Sequence, residues 1–272
     1  MKIIADNINI FTHGVYEAII KKDGGFIRKL AQNLVKNGAD GLEINLGGWR
    51  ASETVMPWLV GEIKKVCDCP LFVSPVPSSL KEVAEAHSSN GLFINCVTAD
   101  QAMVESMLNA ANCLNTGIVV LLTRKGFRPS TLDDLLLLAE DVIEKAEKVG
   151  LPPEMLILDP VLRPRLSMDS SGDMVNRPDL SFFAEAVILL GMLREPKIRT
   201  AAAMSNFMAG MSELVRKSFE VAAVGLLETA GLDYVIMDCS NRELIRAIRH
   251  SSKETQPLVS RKSLLPMLQQ LL

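Results

Sequence analysis

The chain has 272 residues, 48% of them apolar and 22% charged, enough to build one large buried core. A formal net charge of −3 and a pI near 5.7 argue against nucleic acid or an anionic membrane surface as the main partner. No apolar run reaches the length of a bilayer span, and the N-terminal MKIIADNINI turns polar by its sixth residue. The five scattered cysteines and three histidines offer no metal-ligand spacing, so a cytoplasmic protein with reduced thiols and no protein-bound metal is expected.

Eight short apolar runs punctuate the sequence, each leading into a polar turn. KIIADNIN from Lys2 carries Asp6 and Asn9. A helical face then runs through Ile27, Leu30, Ala31, Leu34 and Val35, with Gly38 placed to cap its C-terminus. GLEINLG from Gly41 presents Glu43 and Asn45, and PLFVSP from Pro70 presents Ser74. Ser79 with Glu82 reads as a capping box before the next helix. GLFINCV from Gly91 presents Asn95, and Thr98 with Gln101 reads as a second such box. GIVVLLT from Gly117 ends at Thr123, and Leu132, Leu135, Leu136, Ala139, Ile143 and Ala146 form the next helical face. MLILDPV from Met155 carries Asp159 ahead of a long charged loop over residues 163–179. TAAAMSN from Thr200 carries Ser205 and Asn206. Its alanines have low strand propensity, and its place in the rhythm makes the assignment. Val215, Phe219, Ala222, Ala223 and Leu226 suggest the helix that follows. YVIMDC from Tyr234 ends at Asp238, followed by a third capping pair, Ser240 and Glu243.

Runs of five to seven residues bounded by Gly or Pro suit strands buried on both faces. Strand and helix alternating eight times predict an α/β fold, a (β/α)8 TIM barrel over residues 1–250 of one domain spanning 1–272. Residues 251–272, including SLLPMLQQLL, are expected to be a C-terminal helical extension that serves as a plug or a dimer contact.

In such a barrel the site lies at the C-terminal strand ends. Those ends bring Asp6, Asn9, Glu43, Asn45, Ser74, Asn95, Thr123, Asp159, Ser205, Asn206 and Asp238. Polar residues there also cap helices, and Asp238 ahead of Ser240 fits that simpler role. No strand ends in a lysine, which disfavours Schiff-base chemistry. The turns MAGMS and CSNR lack the glycine density of a phosphate cradle. Carboxylates and amides without a strong nucleophile suit a flat polar heterocycle: a carboxylate accepts two parallel N–H groups of an aminopyrimidinone while amides read the neighbouring atoms. That description fits a pterin.

Through IIADNIN, GADGLEINLG, FINCVTAD, GLPPEMLILDPVLRP, AAAMSNF and SFEVAAVGLLETAGLDYVIMD, the sequence resembles the pterin-binding methyltransferases that pass a methyl group between tetrahydrofolate and a corrinoid protein. That family shares its barrel with dihydropteroate synthase, and the resemblance spans Lys2 to Arg249. It implies that Asp159 grips the pterin 2-amino and N3–H edge, that Asn95 contacts the same ring, and that Asn206 acts at N5 as the catalytic group. It further implies that Asp6, Asn9, Ser74 and Ser205 line the pterin site. Because the chain lacks a corrinoid-binding D-x-H-x-x-G, the corrinoid is expected on a separate partner protein, with this chain as a homodimer in one-carbon metabolism or O-demethylation.

Two positions depart from the family pattern. Ser74 stands where the third strand usually ends in an aspartate, and FMAGMSEL has no counterpart of the arginine that often follows the strand-seven asparagine. A non-catalytic pterin-binding subunit and a tetrahydromethanopterin-dependent enzyme therefore stand as alternatives. A dihydropteroate synthase is disfavoured because Ser205-Asn206 occupies the place of its lysine.

Overall fold

The computed structural model describes residues 1–87, 91–162, 166–168, 174–176, 180–207 and 213–254, with side chains throughout except at 166–168, 174–176, 206, 213–218 and 251–254. Eight strands close into a parallel barrel. They are β1 (Lys2–Asn9), β2 (Gly41–Asn45), β3 (Leu71–Val73), β4 (Leu92–Thr98), β5 (Gly117–Leu121), β6 (Leu156–Asp159), β7 (Arg199–Ala203) and β8 (Tyr234–Met237). The order around the wall is β1-β8-β7-β6-β5-β4-β3-β2, so each predicted run is a staff of a (β/α)8 TIM barrel.

The helices are α1 (Val15–Ile20), α2 (Gly24–Asn37), α3 (Ser52–Lys64), α4 (Leu80–His87), α5 (Gln101–Cys113), α6 (Leu132–Lys148), α7 (Leu180–Leu190), α8 (Met204–Phe207), α9 (Glu213–Ala230) and α10 (Arg242–Glu254). The loop after β6 contains a short antiparallel hairpin, Leu166–Met168 with Met174–Asn176. Arg163 and Arg165 of that loop lie outside the described residues, as do residues 255–272 and the dimer contact expected there.

Side chains alternate between helices and lumen. Leu42 and Ile44 of β2, Leu71 and Val73 of β3 and Val235 and Met237 of β8 join the outer core beneath the helices. The lumen is filled by Ile4, Phe72, Phe93, Val119, Ile157, Ala201, Tyr234 and Ile236. Phe72 stacks on Phe93 at 4.7 Å between ring centroids, and Tyr234 leans on both. These rings explain the alanine-rich seventh strand. With three aromatics already in the lumen, Ala201 and Ala203 take up the little space left on the opposite wall, and packing overrides weak propensity.

Two register shifts break the alternation just where the strands reach the top. One falls between Ala5 and Ile8 of β1, the other between Asn95 and Val97 of β4. After the first, Ile8 packs outward while Asp6 and Asn9 both line the top cavity; after the second, Val97 packs outward while the adjacent Asn95 and Cys96 both line it. An extra residue in one strand re-aims side chains in this way.

Local details correct the sequence reading. Gly38 does cap α2, at φ 115°. The capping boxes do not form. Ser79 Oγ is buried with no hydrogen-bond partner among the described residues, because the chain first makes a 3-10 turn over Pro77–Ser79. Asp100, not Thr98, precedes α5, and Thr98 Oγ1 donates to its carboxylate. Asn241, not Ser240, caps α10, accepting from the N–H groups of Glu243 and Leu244 at 3.1 Å. On α9 the buried stripe is Glu220, Ala223, Val224, Leu227 and Ala230, with Phe219 and Ala222 exposed. A buried glutamate hid the stripe from an apolar count.

Gly117 opens β5 beneath the Phe93 ring. A Cβ there would lie 2.2 Å from that ring and 3.2 Å from the Met155 carbonyl oxygen. Gly117→Ala is therefore expected to lower the unfolding free energy by about 1–3 kcal/mol in urea denaturation, the usual cost of overpacking. A change below about 0.5 kcal/mol would mean that the stacked rings shift freely, contrary to this account of the lumen.

Candidate active site

The strand ends surround a cavity of about 430 Å³. Its wall comprises Asp6 and Asn9 on β1, Phe11 just after it, Glu43 and Asn45 on β2, Asn95 and Cys96 on β4, and Leu121 on β5. Asp159, Val161 and Leu162 follow from β6, Ala203 and Ser205 from β7, and Ile236 from β8. Apolar walls with a few convergent polar groups are the usual make-up of a small-molecule site.

The polar side chains converge in two groups. On one side Glu43, 7% exposed, accepts through Oε1 from Asn95 Nδ2 at 2.9 Å and from Asn45 Nδ2 at 3.3 Å. On the other, the Ser205 hydroxyl donates to Asp6 Oδ2. Asp159, 5% exposed, accepts the Val161 N–H at 2.7 Å through Oδ1. That bond folds the chain sharply after β6, with Val161 at φ 66°.

Three carboxylates, Asp6, Glu43 and Asp159, thus share one cavity, and no Lys, Arg or His lines it among the described residues. Burial pushes Asp159 up to about 7. Burial and then the charge of Asp6 push Glu43 up to about 7, against the opposing pull of the Asn45 and Asn95 amides. The Cys96 thiol is pushed up to about 12 by burial and by Asp159 and Glu43, which leaves it protonated at neutral pH and a poor nucleophile. The wall is suited to hydrogen bonding and proton exchange near neutrality, not to covalent attack. Among the described residues no group of three His, Cys, Asp or Glu side chains could hold a metal ion.

Of the residues expected at the site, Asp6, Asn9, Asn95, Asp159 and Ser205 line this cavity together. Asn9 is already engaged. Its amide donates to the Asp6 carbonyl at 2.6 Å, and its Oδ1 accepts from the N–H groups of Phe11 at 2.9 Å and Thr12 at 3.0 Å, so it shapes the loop after β1. Ser74 is not in the wall; it is 8% exposed and its hydroxyl accepts the Leu46 N–H at 3.3 Å. Asn206 lies in α8, and its side chain is outside the described ones. Thr123 and Asp238 do not line the cavity either. Asp238 Oδ1 accepts from Asn7 Nδ2 at 2.6 Å and from Ser240 N–H at 2.8 Å, while Asn7 Oδ1 accepts the Cys239 N–H at 2.9 Å, a clasp across the β1–β8 seam.

Glu43 is the group to which sequence reading assigned no role, although a glutamate in the middle of an apolar strand run was a visible signal. It also bears on Ser74. The carboxylate missing from the end of β3 has a counterpart one strand away. Cys96 was missed because only the register shift turns it inward, and Phe11 because it lies beyond the strand.

No family model matches the sequence. The chain is 26% identical over 264 residues to a methylcorrinoid:tetrahydrofolate methyltransferase of Eubacterium limosum, covering 91% of this chain and 89% of that protein. In fold it matches a Yersinia pestis dihydropteroate synthase with a pterin–sulfa conjugate, at a TM-score of 0.64 and 15% identity over 93% of both chains. It likewise matches a Coxiella burnetii dihydropteroate synthase in complex with pteroic acid, at a TM-score of 0.64 and 17% identity over 93% of both chains. The resemblance read from the sequence is thereby shown: along nearly its whole length the chain is similar to a methyltransferase of the corrinoid-linked, pterin-binding kind, and it carries the barrel of the dihydropteroate synthases.

Proposed function

We propose that the chain is a methyltransferase that moves a methyl group between N5 of tetrahydrofolate and a corrinoid carried by a partner protein. The observation that carries this reading is the cavity in which buried Asp159 lies with Asn95 and Glu43, with no cation in its wall among the described residues. A pterin offers a neutral aminopyrimidinone edge whose 2-amino and N3–H groups donate in parallel, and a buried carboxylate is their complementary acceptor. The similarity to the Eubacterium limosum enzyme supports the choice of reaction over other pterin chemistry.

In this reading Asp159 orients the ring from the floor and Asn95 contacts it from β4, held by its bond to Glu43. Leu121, Val161, Leu162 and Ile236 supply apolar wall for the ring and keep water from it. The corrinoid supplies the cobalt that gives up or receives the methyl group. Asn206 meets N5. Its amide N–H supports the nitrogen when the N5–methyl bond breaks and the electron pair stays on nitrogen, which then takes up a proton from solvent; its carbonyl accepts from N5–H when the nitrogen attacks the methyl group and releases that proton to solvent. Most of the rate gain from this chain comes from holding N5 in line with the incoming group.

The Asp159 role has a sign that can be measured. Free Asp159 titrates near 7, and donors from the ring favour its ionised form, so binding lowers its pKa. Tetrahydrofolate binding at pH 7 is therefore expected to release protons, and affinity to rise between about pH 6 and 8 and then level off. Calorimetry in buffers of different ionisation enthalpy reads this directly, and proton uptake on binding would contradict the assignment. Asp159→Asn should remove the slope and weaken binding about tenfold or more, as expected for losing hydrogen bonds to a charged group.

Asn206→Ala tests the chemistry separately from binding. Single-turnover methyl transfer between a methylated corrinoid protein and tetrahydrofolate is expected to slow by about 10²-fold or more with the pterin Kd little changed. An unchanged transfer rate would remove Asn206 from the mechanism, and tight binding by the wild-type chain without turnover on any corrinoid partner would favour a pterin-binding subunit.

A further inference from the structure

α8 is a single turn of helix, and contacts on two sides fix it. Met204, 0% exposed, and Phe207, 3% exposed, stand at i and i+3, so they share one side of the turn and pack into the outer core. Phe207 also stacks on Phe219 of α9 at 5.6 Å between ring centroids. Ser205 leaves the turn on the other side, and its hydroxyl donates to Asp6 Oδ2. In the wall order β1-β8-β7, β8 stands between the two residues, so this bond reaches across a strand and joins positions 199 apart in sequence. Among the described side chains it is the one hydrogen bond that α8 makes.

The two sets of contacts restrain different motions. Buried Met204 and Phe207 keep the turn from lifting off its support, but apolar contact is non-directional and leaves it free to roll about its axis. A hydrogen bond on the opposite side is directional and stops the roll, and an ionised carboxylate is a strong acceptor for it. Asn206 is the next residue along the same turn. Successive side chains of a helix leave the axis roughly 100° apart, so any roll of α8 swings Asn206 through the same angle. We infer that Asp6 is a positioning residue for Asn206, acting through the Ser205 hydroxyl to set the rotation of α8. This rests on the methyltransferase reading above, in which Asn206 meets N5. There the ring is held by Asp159 and Asn95, so the tie between Asp6 and Ser205 acts on the rate of transfer and not on affinity. A group that serves a reacting atom loses rate steeply when its approach is misdirected.

The experiment is a double-mutant cycle. Single-turnover methyl transfer from a methylated corrinoid protein to tetrahydrofolate, and the tetrahydrofolate Kd, are measured on the wild-type chain, Ser205→Ala, Asp6→Ala, Asn206→Ala and the double variant Ser205→Ala/Asn206→Ala. Ser205→Ala and Asp6→Ala are each expected to slow transfer about tenfold with the Kd of Ser205→Ala within about twofold of wild type, a split that also shows this variant to be folded. The double variant decides the route. If Ser205 acts through Asn206, the double variant transfers at the rate of Asn206→Ala and not about tenfold slower again. Losses that add would overturn the proposal in favour of an independent contact between Ser205 and the ligand, and so would a Kd that rises in step with the loss of rate. An unchanged rate in Ser205→Ala or in Asp6→Ala would overturn it outright. If the wild-type chain transferred no methyl group, the methyltransferase reading would fall and the positioning role with it; if it did and the losses added, the positioning role alone would fall.

Discussion

Carboxylates gathered at one set of strand ends govern the top of this barrel: Glu43 and Asp159 are buried there and Asp6 stands beside them. Asp6, Glu43 and Asp159 face one cavity whose described wall contains no cation, and two of them are held near neutrality by the cost of leaving water. Among the described residues the donors to these carboxylates are neutral. Asn45 and Asn95 serve Glu43, Ser205 serves Asp6, and the Val161 backbone serves Asp159. A salt bridge would have satisfied these carboxylates permanently. Amides and a backbone N–H satisfy Glu43 and Asp159 through one oxygen each, a geometry that suits further N–H donors from a ligand. The neutral, donor-rich heterocycle proposed as ligand complements that arrangement.

The barrel itself was legible because strands buried on both faces leave continuous apolar runs, and all eight appear where those runs fall. The same property concealed the finer structure. A run apolar on both faces contains no alternation to mark a register shift, so the turning of Cys96 into the cavity beside Asn95 had no signature in INC. Helix starts were misplaced by one or two residues because several capping residues crowd each entry: Thr98 next to Asp100, Ser240 next to Asn241. On α9 the buried Glu220 interrupted the stripe that an apolar count would follow.

At the site, residue type and strand-end position were enough to assemble Asp6, Asn95, Asp159 and Ser205 in one place. What they could not convey was which hydrogen bonds each side chain had already committed. Asn9 and Asn95 look alike in sequence, yet Asn9 has its amide and its carbonyl tied to backbone, whereas Asn95 is tied through its amide to Glu43. Ser74 and Glu43 were hard to weigh for a related reason. The carboxylate came from the paired neighbouring strand, and residue type alone could not tell that Glu43 on β2 faces the cavity while Ser74 after β3 is turned to the Leu46 N–H.

The two register shifts divide the barrel into compartments with different rules. Below them, every lumen residue is fixed by its neighbours across a packed stack of Phe72, Phe93 and Tyr234. Above them, β1 and β4 no longer alternate, and adjacent or third-neighbour residues share the cavity. A barrel built this way is modular along its own axis. Its mouth can acquire a new set of groups by gaining or losing a single residue at a strand end, while the shaft that supplies the stability is left untouched.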